Sequence, residues 1–125
     1  MSRFSNMLER YEPVRKQNEI FKKGLPIVHR RNRSLCRGVY FVKWRDYIKI
    51  GCSIDIRARV KSLRVSIPEG DMEPLGWIVY QTGDLEQHEA KVHDAMAAFR
   101  VRGEWFRDCP ELRRFIERYA MAWPS

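Results

Sequence analysis

The stretch GVYFVKWRDYIKIG, residues 38–51, predicts two short β-strands joined by a tight turn. Successive side chains of a strand point to opposite faces, so the hairpin has two distinct surfaces. One surface is uniformly aliphatic or aromatic and consists of Val39, Phe41, Ile48 and Ile50. The other surface carries two phenols and one ammonium, those of Tyr40, Tyr47 and Lys49. The second surface therefore raises the question of which chemistry uses these three polar groups.

Hydrophobic periodicity and turn residues predict a mixed fold around this hairpin. We expect a weakly helical segment over residues 4–22, a helix over about 56–67 and a third strand over 75–81. A longer helix follows over about 84–99, with Asp84 and Gln87 as its capping box, and a last helix begins near residue 110. The chain therefore predicts an α/β (α+β) fold, with a three-stranded, mainly antiparallel sheet and at least three helices.

Positive charge is concentrated near the N-terminus. The net charge is +8, and residues 1–37 hold ten Lys and Arg against three Asp and Glu, whereas the remainder holds fourteen against thirteen. We therefore divide the chain into a basic N-terminal helical arm, residues 1–36, and one domain, residues 37–125. The arm predicts a polyanionic partner, above all nucleic acid, because Lys and Arg neutralise phosphates. A solvated tail is the alternative, and the basic run lacks the apolar face that membrane-surface binding needs.

Several classes of function lack their sequence signals. No apolar run approaches the roughly 20 residues of a membrane-spanning helix, and the N-terminus lacks the apolar region of a secretory signal. The three cysteines form no CxxC pair, which argues against a disulfide framework or a zinc knuckle and suits a reducing cytoplasm. The sequence also lacks HExxH, GxSxG, P-loop and GxGxxG motifs.

Glu89 departs from the pattern of the helix predicted over residues 84–99. It falls on the same stripe as Leu85 and Val92, and a buried carboxylate is costly unless it is paired or coordinated. An ion pair with an arginine and a divalent-metal site both satisfy this condition, and helix position alone favours the ion pair. His93 lies one turn later and either reaches the same pocket or is a half-buried structural residue.

Basic side chains of the helix over residues 56–67 have two interpretations. Arg57 and Arg59 lie at the flanks of its apolar stripe, where each is either a solvated charge or a phosphate ligand. The residues predicted to contact nucleic acid are Arg30, Arg31, Arg33, Arg37, Arg57 and Lys61.

Five segments in a fixed order resemble the GIY-YIG nuclease superfamily. They are GVY at 38–40, KIG at 49–51, Arg59 eight residues after Gly51, EAKVH at 89–93 and RGEWF at 102–106. GVY alone is a weak signal, whereas the ordered set is strong and covers roughly residues 37–118. The KIG, EAxxH and GEWF variants resemble a branch common in phage and bacterial proteins, which implies the cytoplasm of a bacterial or phage-infected cell.

The resemblance implies a compact α/β/α domain with a central three-stranded antiparallel sheet. It also implies hydrolysis of a DNA phosphodiester with one divalent metal ion, Mg²⁺ or Mn²⁺. Tyr40 would orient or deprotonate the attacking water, Arg59 would hold the scissile phosphate, and Glu89 would ligate the metal.

The sequence departs from the family pattern at two positions. Lys49 replaces the second tyrosine of the family name, and it would act either as a neutral base or as a phosphate-binding cation. Tyr47 lies on the same face, about 6.5 Å away along the strand. Leu63 occupies a position that is often histidine in the family, and either His93 covers this loss or no residue does. Trp105 and Phe106 are predicted to be core residues, and Glu104 either partners Arg59 or faces solvent.

Three functions fit these features. The first is a metal-dependent DNA endonuclease with its own basic arm. The second is a catalytically weak or inactive nucleic-acid-binding module that keeps the fold, which Lys49 and Leu63 favour. The third is a catalytic cassette that works with a separate targeting partner.

Overall fold

The structure is a computed structural model that describes residues 3–24, 33–67 and 71–123. The helices are α1 (Arg3–Gly24), α2 (Ile56–Ser66), α3 (Leu85–Ala95) and α4 (Pro110–Tyr119), with short 3-10 helices at Arg33–Cys36 and Ala97–Phe99. The strands are β1 (Gly38–Trp44), β2 (Tyr47–Ser53), β3 (Glu73–Val79), β4 (Arg100–Arg102), β5 (Trp105–Arg107) and β6 (Met121–Ala122).

Within the described residues, one sheet contains six strands in the order β4-β5-β2-β1-β3-β6, and each neighbouring pair is antiparallel. The prediction of a three-stranded sheet is therefore wrong. Strands β2, β1 and β3 form its centre, but β4, β5 and β6 extend it at both edges. The added strands have three, three and two residues, which is too short for an alternating pattern to show in the sequence.

The predicted hairpin is present and separates the core into two layers. Phe41 pairs with Ile50, and the aliphatic and aromatic surface packs against α1, α3 and α4. We call this surface the α4 face. The opposite surface, the α2 face, is partly covered by α2, whose Ile56, Val60 and Leu63 are buried. The residues of β1 and β2 on the α2 face are Tyr40, Val42, Trp44, Tyr47, Lys49 and Gly51.

Helix α1 packs into the domain. It is one helix of 22 residues with Pro13 inside it, and Tyr11 lies in the core on the α4 face. The Tyr11 hydroxyl donates to the carbonyl of Lys91 at 3.0 Å. Asn18 is 2% exposed, donates to the Tyr119 carbonyl and accepts from the Val79 amide at 3.3 Å. The first helix therefore helps to hold α4 against β3, while the boundary at residue 36 stays a prediction.

None of the helices in the described ranges is long and apolar enough to cross a bilayer.

Replacing Asn18 with alanine tests the role of α1 in the fold. The substitution leaves the Val79 amide and the Tyr119 carbonyl without their side-chain partner, so we expect the free energy of unfolding to fall by about 1–3 kcal/mol. Urea denaturation followed by circular dichroism measures the change. Gln17→Ala alters the exposed neighbouring position and is the control. Equal stability of the two variants would show that α1 is not held through Asn18.

Candidate active site

The site begins where the Tyr40 ring crosses the backbone of Gly51. The two residues are directly paired between β1 and β2, and Tyr40 is 2% exposed. A Cβ added to Gly51 would lie 2.4 Å from the Tyr40 Oη and 2.5 Å from its Cζ. Glycine is therefore required at position 51 because the space of a side chain is already filled by the phenol.

Arg59 meets Tyr40 from helix α2. The helix begins at Asp55, whose carboxylate accepts from the Ala58 amide at 3.2 Å, and its buried stripe packs on the α2 face. A hydrogen bond joins Arg59 to the Tyr40 hydroxyl. Burial raises the pKa of Tyr40 and Arg59 partly offsets this, while the same hydrogen bond raises the pKa of Arg59. Tyr40 is therefore a neutral phenol at pH 7 that holds an exposed guanidinium.

Glu89 approaches from the other layer, on helix α3. Asp84 caps this helix by accepting from the amides of Glu86 and Gln87 at 2.9 and 3.4 Å. Glu89 is half-buried, and burial and then the charge of Glu104 raise the pKa of its carboxyl. A hydrogen bond from the Cys52 thiol and the charge of His93 act in the opposite direction. In the described part of the chain, a thiol and an imidazole act on Glu89, and no arginine forms the ion pair that helix position alone favoured.

Cys52 is tied to this carboxylate. Burial, followed by the charges of Glu89 and Glu104, raises the pKa of the thiol to about 11. At neutral pH the thiol is therefore a hydrogen-bond donor to Glu89 and a poor nucleophile.

His93 is oriented by the backbone of β2. Its Nε2 lies 2.8 Å from the Ile50 carbonyl oxygen, and its ring packs edge-on against Phe106 with centroids 5.0 Å apart. Since a carbonyl only accepts, Nε2 carries the proton in this contact. His93 thus lies near Glu89 as a fixed imidazole.

Lys49 forms an ion pair with Glu104. Its Nζ lies 3.2 Å from the Glu104 Oε2, with the Lys49 side chain 17% and the Glu104 side chain 43% exposed. The Glu104 backbone carbonyl also accepts from the Ile50 amide at 2.9 Å, which fixes the GEWF turn beside β2. Glu104 therefore contributes negative charge near both Tyr40 and Glu89.

Other residues predicted for the site lie apart from Gly51. Tyr47 is at the opposite end of β2, four residues or about 13 Å away, and is 39% exposed. The Arg37 guanidinium donates to the carbonyls of Tyr80 and Gly83 at 2.7 and 2.6 Å, which anchors the segment before α3. Arg57 is hydrogen-bonded to the Cys36 thiol, and Lys61 is exposed on α2.

Part of the predicted basic surface is not described. Arg30 and Arg31 lie outside the described residues, and Arg33 begins the 3-10 helix at Arg33–Cys36. Of the GEWF aromatics, Phe106 is 0% exposed and in the core, as predicted. Trp105 is only half-buried and lies on the α2 face, opposite Lys49.

The donor set fits one divalent ion of the magnesium type. In the described part of the chain no group of three or more His, Cys, Asp or Glu side chains could hold a metal. Mg²⁺ binds through one or two carboxylates and completes its shell with water and substrate phosphates, so a single Glu89 suffices. Burial and then the charge of Glu104 raise the pKa of Glu89, and a bound cation would act in the opposite direction.

Three residues of this site were not among the predicted site residues: Gly51, Cys52 and Glu104. Gly51 and Glu104 stand in the quoted KIG and GEWF segments, so the motifs contained their signal. Cys52 gave no signal, because its contact with Glu89 joins residues 37 positions apart, one on β2 and one on α3.

This small α+β domain belongs to a nuclease-associated class of domains found in phage proteins. More closely, the chain belongs to the T5orf172 domain family, which matches residues 37–120. The match covers β1 through α4 and includes Tyr40, Arg59 and Glu89. No curated protein and no solved structure shows significant similarity to the chain.

Adding one methyl group at Gly51 tests the contact with Tyr40. We expect Gly51→Ala to lower the free energy of unfolding by about 1–3 kcal/mol, since a buried ring must move. In a Tyr40→Leu background, which lacks the clashing atoms, the same substitution should cost much less. A double-mutant cycle from urea denaturation measures the difference. Equal costs in both backgrounds would contradict the proposed contact.

The raised pKa of Glu89 makes a prediction for stability against pH. The pKa of the Glu89 carboxyl is higher in the folded protein than its ordinary value of 4.5. Such a group stabilises the folded state at pH values below 4.5, and this stabilisation is lost as the pH rises through the pKa of the folded protein. In chelator, Glu89→Gln should therefore melt a few degrees higher than the parent at pH 7, with a smaller difference near pH 4. Glu117→Gln, at an exposed position, is the control. A stabilisation that does not depend on pH would contradict this assignment.

Proposed function

We propose that the protein is a metal-dependent DNA endonuclease of the GIY-YIG type. The observation that carries the proposal is the hydrogen bond between Tyr40 and Arg59, close enough to Glu89 and Glu104 for their charges to act on the phenol. Arg59 and Glu89 both act on Tyr40, and within the described residues Glu89 has no arginine partner. An exposed guanidinium and such a carboxylate on either side of one phenol suit a phosphate and a cation bound together. The nuclease association of the family supports the same reaction class.

Arg59 binds the scissile phosphate in this proposal. Its guanidinium is exposed, so a phosphate can reach it, and Tyr40 limits its conformations before the substrate arrives. A preoriented cation offsets the negative charge that develops on the phosphoryl oxygens.

Tyr40 orients the attacking water. Burial keeps the phenol protonated at neutral pH, which favours orientation through hydrogen bonds over abstraction of a proton. Its hydroxyl accepts from Arg59 and can offer its own proton to a neighbouring oxygen.

Lys49 acts as a cation rather than as a base. The carboxylate of Glu104 at 3.2 Å stabilises the ammonium, and the ammonium can also contact a phosphate that enters above β2. His93 keeps a ring nitrogen on the Ile50 carbonyl, which fixes the imidazole in the neighbourhood of Glu89.

Glu89 would hold the divalent ion, Mg²⁺ or Mn²⁺, with oxygens of the substrate. When bound, the ion would supply Lewis-acid stabilisation of the leaving oxygen. The thiol of Cys52 holds the carboxylate in position through its hydrogen bond.

A nucleic-acid-binding module without turnover is the second candidate. The ion pair of Lys49 with Glu104 favours this candidate. Lys49 replaces the second tyrosine of the family, and its ammonium is already bound by a carboxylate. In either case DNA is the partner. The basic side chains would contact mostly phosphate, so their contribution to binding would be sensitive to salt. These residues are Arg30, Arg31, Arg33, Arg57 and Lys61. A separate targeting partner remains compatible with both candidates.

Nicking of supercoiled plasmid in Mg²⁺ or Mn²⁺ tests the proposal. We expect Glu89→Gln and Arg59→Ala each to lower the rate by about 10²-fold or more, because each removes charge stabilisation from the reacting phosphate. Arg64→Ala removes an exposed arginine of the same helix and should leave the rate unchanged.

Melting tests the metal site, and DNA binding compared with nicking separates the two candidates. Mn²⁺ should raise the melting temperature of the parent and leave that of Glu89→Gln unchanged. Salt-sensitive DNA binding without nicking of duplex, branched or single-stranded DNA would instead favour the binding module.

A further inference from the structure

The α2 face extends beyond the region that helix α2 covers. The core cluster on this face includes Tyr40 and Val42 of β1 but not Trp44 of the same strand. Trp44 and Trp105 are half-buried, and Tyr47 is 39% exposed. These three aromatic residues, Trp44, Tyr47 and Trp105, form what we call the aromatic patch.

The strand register places the aromatic patch on the same sheet surface as the proposed site. Trp105 pairs with Lys49, and Trp44 pairs with Tyr47, so all three aromatic residues share one surface. The rings of Trp44 and Trp105 lie with centroids 5.8 Å apart at 55°. Lys49 is two residues from Gly51, or about 6.5 Å along β2. Since consecutive bases rise about 3.4 Å along a strand, the patch lies within a few nucleotides of a phosphate bound at Arg59.

Cationic side chains surround the patch. The Arg45 guanidinium lies 4.6 Å from the Trp44 ring centroid, and the Lys49 ammonium lies 5.6 Å from that of Trp105. Arg102 pairs with Trp105, and Arg107 pairs with Tyr47, and both are exposed. Aromatic rings among cations are the surface on which proteins bind unpaired nucleotides, because bases stack on the rings while Lys and Arg contact the phosphates.

Two details distinguish this patch from ordinary core packing. Trp77, which is 0% exposed, donates its Nε1–H to the Leu35 carbonyl at 2.7 Å, whereas among the described residues no acceptor meets the buried Nε1–H of Trp44. Arg45 has φ of 57°, a conformation that favours glycine or asparagine in a two-residue hairpin turn. The turn therefore carries an arginine beside Trp44 at a position where another residue would be more stable.

We propose that Trp44 and Trp105 form a stacking site for an unpaired base within a few nucleotides of the scissile phosphate, so that the substrate is DNA with unpaired nucleotides near the cut. This inference rests on the proposed nuclease function for the position of the cut. The stacking site itself requires only binding.

Binding of four short probes tests the site without cleavage. The probes are a duplex with a central bulge of unpaired thymidines, the same duplex fully paired, a thymidine-containing DNA single strand, and its RNA counterpart. The protein is the full chain carrying Glu89→Gln, and fluorescence anisotropy gives the dissociation constants. We expect bulged and single-stranded DNA to bind more tightly than the paired duplex. Tighter binding of RNA than of single-stranded DNA would overturn the choice of DNA.

Substitution of the tryptophans gives the decisive comparison. Trp44→Leu or Trp105→Leu should weaken binding of the bulged probe by about 5- to 150-fold, the effect of losing one stacked base, and leave the paired duplex nearly unchanged. Trp44→Phe should retain most of the affinity. Trp123→Leu, a half-buried tryptophan that packs on Trp77 instead, is the matched control. An equal loss in the control, or an unchanged preference for the bulge, would overturn the proposal.

Photocrosslinking covers the case in which a leucine variant does not fold. Bromodeoxyuridine at the bulge should crosslink the parent chain at Trp44 or Trp105, located by mass spectrometry, and crosslinks confined to other segments would overturn the site. The outcomes also separate the two proposals. Bulge binding without nicking rejects the nuclease and keeps the stacking site. Nicking that is indifferent to unpaired bases and to both tryptophans keeps the nuclease and rejects the stacking site.

Discussion

The Tyr40 ring lies against the bare backbone of Gly51, and the geometry of the site depends on this contact. A side chain at position 51 would occupy the space of the phenol, so the position of the Tyr40 hydroxyl depends on the glycine with which Tyr40 is paired. Arg59 is then held mainly by that hydroxyl, and the charge of Glu104 acts on it more weakly. The position of the Arg59 guanidinium consequently depends on how α2 packs on the sheet.

The site combines groups from both layers of the domain. Tyr40 and Arg59 belong to the α2 face, whereas Glu89 and Cys52 belong to the layer of α3. Glu104 joins the two sets, since its charge raises the pKa of both Tyr40 and Glu89 while its carboxylate holds Lys49. Negative charge is therefore concentrated where a cation would bind, and positive charge is available where a phosphate would bind.

The α2 face changes character along the strands. Near Gly51 it is covered by α2 and presents single polar groups with restricted conformations, whereas toward the hairpin turn it presents half-buried aromatic rings among arginines and a lysine. Strong hydrogen bonds suit a reacting phosphate, and sequence-tolerant stacking suits the bases beside it. One sheet surface can thus provide both kinds of contact at a spacing set by the strand repeat.

The sequence by itself determined the central hairpin and helices α2, α3 and α4, because alternation and helical periodicity persist over seven or more residues there. The ordered segments also predicted Tyr40, Arg59 and Glu89 as a set, and in the structure the charges of Arg59 and Glu89 both act on Tyr40. Only the tertiary structure decided the size of the sheet, since strands of two or three residues are specified by their neighbours and not by a local pattern. It also decided the packing of α1 through Asn18, the ion pair of Lys49 with Glu104 and the thiol of Cys52 on Glu89. Each of these contacts joins residues far apart in the chain, and such pairing depends on how layers and strands pack, which local periodicity does not encode.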